Sequence, residues 1–111
     1  MVSLKALRVF LQQVRNSIDN NQYTILDHRF KYQQTLAQLG IINQDVIDDI
    51  YQLTEKDLWT KKQDDNPMFP GDVWICKKYL HGELIYIKLK IKQINGDFLV
   101  VLSYHINEQN T

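Results

Sequence analysis

The pair Asn95-Gly96, set between two runs of alternating apolar and polar residues, constrains this chain more than any other feature. A type I′ turn needs positive φ at both central positions, which asparagine and glycine tolerate best, so the pair predicts a tight antiparallel hairpin. His81-Gly82 is a weaker signal of the same kind. Together they predict strands over 72–80, 83–94 and 97–105. Two-residue loops at both turns also set the register. Ile94 then faces Asp97, Tyr86 faces His105, Lys88 faces Ser103 and Lys90 faces Val101. Across the other turn Lys77 lies beside Tyr86, and Ile75 beside Lys88.

Side chains alternate across a strand, so this register sorts them into two faces. Trp74, Cys76, Ile87, Leu89, Ile91, Phe98, Val100, Leu102 and Tyr104 make a core face. Lys77, Tyr86, His105, Lys88, Ser103, Lys90 and Lys92 make the opposite, polar face. A slip of one residue in either turn would exchange the faces.

The first half of the chain is helical in pattern. Leu4, Leu7, Phe10, Leu11, Val14 and Ile18 recur at spacings of three and four behind Ser3, a suitable N-cap. Tyr23 to Leu26 has the composition of a short strand. A second helix is expected from Tyr32 to Leu39, with Gly40 supplying the left-handed residue that ends it. A third follows the cap Asn43 and presents Val46, Ile47, Ile50, Tyr51 and Leu53, leaving Asp45, Asp48 and Asp49 on its early turn and wet side. Thr54, with Asp57 three residues on, predicts a further short helical turn carrying Leu58 and Trp59. Residues 60–71 hold two prolines and a glycine and are expected to be irregular. The resulting expectation is one α+β domain over 1–111: a mainly helical part (1–60), a linker loop (61–71) and N-terminal helices packed on a three-stranded antiparallel C-terminal sheet (72–105).

Thirteen basic and thirteen acidic side chains give zero formal net charge, which argues against indiscriminate coating of nucleic acid. The lysines of the polar face could still create a local field that the sum hides. No apolar run approaches the roughly 18 residues of a membrane span. Residues Met1 to Lys5 lead into amphipathic sequence rather than a signal-peptide core, and Cys76 has no disulfide partner, so a reducing cytoplasm and no membrane association are expected.

The polar face carries a full set of groups for RNA cleavage by 2′-OH attack. That reaction needs a base, an acid and cations for the developing phosphorane charge. His105 supplies a side chain of the type that serves as acid or base, Tyr86 can donate a proton, and Lys77, Lys88 and Lys90 can stabilise the developing negative charge. The same lysines also suit an ordinary solvated sheet face that protects against edge association. His81 reads as a turn residue and His28 as structural or electrostatic. The three histidines have no zinc-ligand spacing, and no glycine-rich phosphate loop is present, so neither metal nor cofactor is expected. Trp74 could stack on a base, but its core parity favours packing.

Several segments in order resemble one family, the motility quorum-sensing regulator (MqsR) toxins. They are His28-Arg29-Phe30-Lys31 ahead of Gln34 to Ile41; Leu53-Thr54-Glu55-Lys56-Asp57; Pro70-Gly71-Asp72-Val73-Trp74; Tyr86-Ile87-Lys88-Leu89-Lys90; and Leu102-Ser103-Tyr104-His105. The resemblance spans roughly Tyr23 to His105. It implies a RelE-like fold, mRNA interferase activity without a metal, and a cognate antitoxin of a type II system. It implies catalytic roles for Tyr86 and His105, the latter where a family member has lysine. It implies RNA-phosphate contacts for Arg29, Lys31 and Lys61. Two positions depart from the family: Gly71 replaces a glutamine, and Thr60 falls near a helical lysine. Two rivals remain open at this level: a non-enzymatic domain whose lysine face docks a partner, and a nuclease that acts only on ribosome-bound mRNA.

Overall fold

The structure, a computed structural model, describes residues 2–63 and 71–108. Among them run α1 (Leu4–Asp19), β1 (Tyr23–Ile25), α2 (Phe30–Leu39), α3 (Asn43–Tyr51), β2 (Leu58–Gln63), β3 (Asp72–Leu80), β4 (Glu83–Gln93) and β5 (Asp97–Ile106). The chain is α+β, with three N-terminal helices packed on a five-stranded mixed sheet of order β1-β5-β4-β3-β2. The three-stranded antiparallel sheet expected from sequence is therefore only its centre. β1 adds to β5 in parallel, and β2 adds to β3 antiparallel.

β2 carries little sequence signal because its residues, Leu-Trp-Thr-Lys-Lys-Gln, turn polar after two positions and lie at a solvent-facing edge. Polar composition costs an edge strand little, since only one side of it packs. The helical turn expected at Leu58 and Trp59 and the first linker residues, 61–63, both belong to β2. Residues 64–70, including Pro70 of the resemblance, lie outside the described residues. Half of the box expected at Thr54 forms, without a helix behind it: Asp57 accepts from the Thr54 N–H at 2.8 Å, while the Thr54 hydroxyl accepts from the Lys56 N–H at 3.3 Å.

Local chemistry explains the helices. The Ser3 hydroxyl accepts from the Ala6 N–H at 3.3 Å, and Gly40 ends α2 at φ 69°. At the start of α3 the Asp45 carboxylate accepts from the Ile42 N–H at 2.9 Å; the isoleucine side chain has no group to reciprocate. Leu7, Phe10, Leu11 and Val14 of α1, Tyr32 of α2 and Val46, Ile47 and Ile50 of α3 form one core with Trp74, Cys76, Ile85, Ile87, Leu89, Leu99, Val101 and Tyr104 of the sheet. Leu4, at the end of the predicted apolar stripe of α1, is exposed. Trp74 stacks on Phe10 with centroids 4.7 Å apart, which answers the choice between packing and base stacking in favour of packing.

The β3–β4 turn is as expected, with His81 and Gly82 both at positive φ and Leu80 facing Glu83. The β4–β5 turn differs. Gln93, not Ile94, faces Asp97, so three residues separate the paired ends. A bulge then restores the register: Leu89 faces Val101, whereas Lys88 faces Ser103, leaving Leu102 as an extra residue. Lys90 therefore faces Val100 instead of Val101. Between turn and bulge the faces of β5 are exchanged. Leu99 and Val101 join the helix-side core, while Phe98 and Val100 move to the outer face expected to be polar. Beyond the bulge the two deviations cancel, and Tyr86 faces His105 as expected.

Asp49 ties α3 to the sheet. Its carboxylate accepts from the buried Tyr104 hydroxyl at 2.8 Å and from His81 Nε2 at 2.8 Å. Burial, and then this hydrogen bond, push the Tyr104 phenol far above its usual range. Asp49→Ala leaves that hydroxyl unsatisfied and is expected to cost about 2 kcal/mol in urea unfolding; an unchanged midpoint would show the tie to be unimportant. Burial, with Asp57 adding to it, pushes the Cys76 thiol up to about 12. The reactive thiolate is thus suppressed at pH 8, and the sulfur is enclosed. Disulfide reagents are expected to label Cys76 only after denaturation, with labelling of the folded protein at the unfolded rate as the contrary result.

Candidate active site on the outer sheet face

Two cross-strand rows build the site on the outer face. Lys77, Tyr86 and His105 form one row across β3, β4 and β5, and Ile75, Lys88 and Ser103 form the next. Paired positions place Cβ atoms roughly 4.5–5.5 Å apart, so neighbouring side chains meet without further support. The Tyr86 and His105 rings stack with centroids 5.1 Å apart and planes 19° from parallel.

An open cavity of about 450 Å³ lies over these rows. Lys31, Lys77 and Lys88 bring three cations to its lining, beside Tyr86, Ser103 and His105. Asn107 and Glu108 complete it. Sequence reasoning misses these last two, because alternation predicts that the last strand stops at His105. In fact the Asn107 N–H donates to Leu84 O at 2.8 Å, carrying the ladder, and the alternation, past the end of β5. Glu108 pairs with Lys31 at 2.8 Å. Lys31, and to a lesser degree His105, hold the Glu108 carboxyl below the usual carboxylate range.

His105 Nδ1 lies 3.0 Å from Ile106 O. A carbonyl oxygen can only accept, so the contact assigns the proton to Nδ1 in the neutral ring and leaves Nε2 with its lone pair. Nε2 is then the proton acceptor. Nitrogen-15 correlation spectra are expected to show the Nδ1–H tautomer for His105 at high pH; a dominant Nε2–H tautomer would remove this assignment.

The other expected contacts divide. Arg29, just ahead of α2, reaches the site's margin, but one guanidinium nitrogen donates to Leu102 O at 2.7 Å, satisfying the carbonyl of the bulge residue. Four of its five N–H donors are not used in that bond. Lys61 is not brought to the site. It projects from the helix side of β2, 3.7 Å from Asp72 and over the Trp74 ring, because its partner in the ladder is core-facing Trp74. Lys90 has the right face but is only 1% exposed, alongside the buried outer-face residues Val73 and Val100, so it is not presented to a ligand in solvent. His81 is engaged by Asp49, and His28 is exposed away from the cavity lining. Among the described residues no group of three or more His, Cys, Asp or Glu side chains is placed to hold a metal ion, and no helix is long and apolar enough to cross a membrane.

Comparison with protein-family models, with curated proteins and with solved structures returns no match for this chain. What the site can do therefore follows from the chemistry of its own residues.

Proposed function

We propose that this protein is a cytoplasmic mRNA endoribonuclease that cleaves by 2′-OH attack without a metal. The observation that carries the reading is the stacked Tyr86–His105 pair beneath a cavity lined by Lys31, Lys77 and Lys88. His105 Nε2 takes the 2′-OH proton as O2′ bonds to phosphorus. The P–O5′ bond breaks, and O5′ leaves with the phenolic proton of Tyr86, giving a 2′,3′-cyclic phosphate. The proton left on His105 returns to Tyr86 through solvent. Lys77 and Lys88 stabilise the phosphorane charge, which matters most where water is displaced. Arg29 and Lys31 hold the neighbouring phosphates.

The resemblance of the segments around Arg29, Tyr86 and His105 to the MqsR toxins supports the same reading. With it comes the proposal of a RelE-like toxin neutralised by a cognate antitoxin protein. A positioned acid or base is worth roughly 10²–10⁴ in rate. In chelator-treated buffer, His105→Ala is therefore expected to cut RNA at least about 100-fold more slowly than wild type. Lys88→Ala should also be slowed, and Lys61→Ala unchanged. Naked RNA and mRNA on translating ribosomes are to be assayed in parallel. Equal cleavage by wild type and His105→Ala would exclude this mechanism, and cleavage by neither on either substrate would leave the lysine face a docking surface.

A further inference from the structure

A second cavity, of about 350 Å³, adjoins the first. The two share Lys31, Ser103 and His105 and are otherwise different in character. Leu26, Phe30 and Leu102 give the second an apolar wall, and Arg29 stands at its rim. Two features of the fold open it. β1 ends at Ile25, so the β5 edge beyond Val101 has no strand beside it. The bulge then places Leu102 out of register, and Phe30, Lys31 and Tyr32 at the start of α2 line the far side.

Phe30 is the informative residue. It is 74% exposed at the first position of α2 and does not belong to the core. A solvent-facing aromatic ring at the mouth of an apolar cavity offers a stacking surface. The cavity lies within the size range of small-molecule sites. The three lysines of the first cavity outnumber the one acid in its lining, Glu108, which pairs with Lys31. A ligand spanning both cavities is therefore best matched by an anion over Lys77 and Lys88 and a flat apolar group beside Phe30, which describes a nucleotide.

We infer that this apolar cavity receives the base of the nucleotide whose phosphate lies at His105, with the base stacked on Phe30. The inference rests on the ribonuclease reading and adds to it a base subsite. Single-stranded RNA is commonly read in this way, by bases splayed out onto aromatic side chains. Arg29, which also lines this cavity and is held by its bond to Leu102 O, keeps its proposed role toward the neighbouring phosphate.

The test is a set of NMR titrations with the four nucleoside 3′-monophosphates, ribose 5-phosphate and inorganic phosphate. Proteins compared are wild type, Phe30→Ala, Phe30→Trp and Lys88→Ala. Wild type is expected to bind at least one nucleotide about ten-fold more tightly than ribose 5-phosphate, in keeping with the usual worth of one stacked base. Phe30→Ala should abolish that preference while leaving inorganic phosphate affinity unchanged, and Phe30→Trp should restore it. Lys88→Ala should weaken every ligand. A nucleotide preference that survives Phe30→Ala overturns the base subsite and leaves the phosphate site standing. Wild-type protein that binds none of these ligands overturns the ribonuclease reading and the subsite together.

Discussion

The extra residue at Leu102 is the constraint on which the arrangement of β5 depends. From Leu99 to Val101 the strand is paired on both edges, by β1 and by β4, and its odd-numbered residues feed the helix-side core. After Leu102 it is paired by β4 alone, its even-numbered Tyr104 enters the core, and His105 is turned to the outer face. A bulge reverses parity at the cost of one ladder position. Here the carbonyl of Leu102 is taken up by Arg29, and the N–H of Ile106 by Thr35. The N-terminal part of α2 and the residue before it thus do for the lower half of β5 what β1 does for the upper half.

This division links stability to the site. Tyr104 is pinned from the core side by Asp49 of α3, while its neighbour His105 stacks on Tyr86 on the outer side. One short stretch of backbone is thereby fixed from both faces. Such support suits the role proposed for His105, which needs its ring held in one tautomer and orientation. The cationic groups are anchored differently. Lys77 and Lys88 rise from the sheet in rows set by the ladder, whereas Lys31 comes from α2 and is steadied by Glu108. Sheet and helix so contribute to one cavity, and the proposed base subsite occupies the seam between them.

Much of this arrangement is legible in the residues alone. The His81-Gly82 turn and the Lys77–Tyr86 pair it sets, the position of the Asn95-Gly96 turn, the α1 stripe and the Gly40 stop follow from local rules of dihedral preference and alternation. The Tyr86–His105 pairing, however, is reached through a turn longer by one residue than expected and a bulge that offsets it. Neither is marked in the residues: Leu102 is an ordinary strand residue, and only pairing with β4 makes it surplus. The faces of Phe98 and Val100 differ from expectation for the same reason. The two outer strands are hard to read for another. In β1 three residues are too few to show a period, and β2, an edge strand that packs on one side, can be polar.

The sequence by itself determined where the central strands turn and which residues meet across the first hairpin, because turn dihedrals and two-residue alternation act over short spans of chain. The register of the second hairpin needed the bulge that pairing with β4 creates. Tertiary structure decided which of those residues a ligand can reach. Lys90 and Lys61 satisfy the same compositional reading as Lys88, yet one is buried and the other faces the helices. Exposure depends on what packs from distant parts of the chain, and so does the apolar cavity at Phe30, whose walls come from the end of β1, the start of α2 and the bulge in β5. No window of sequence contains all three.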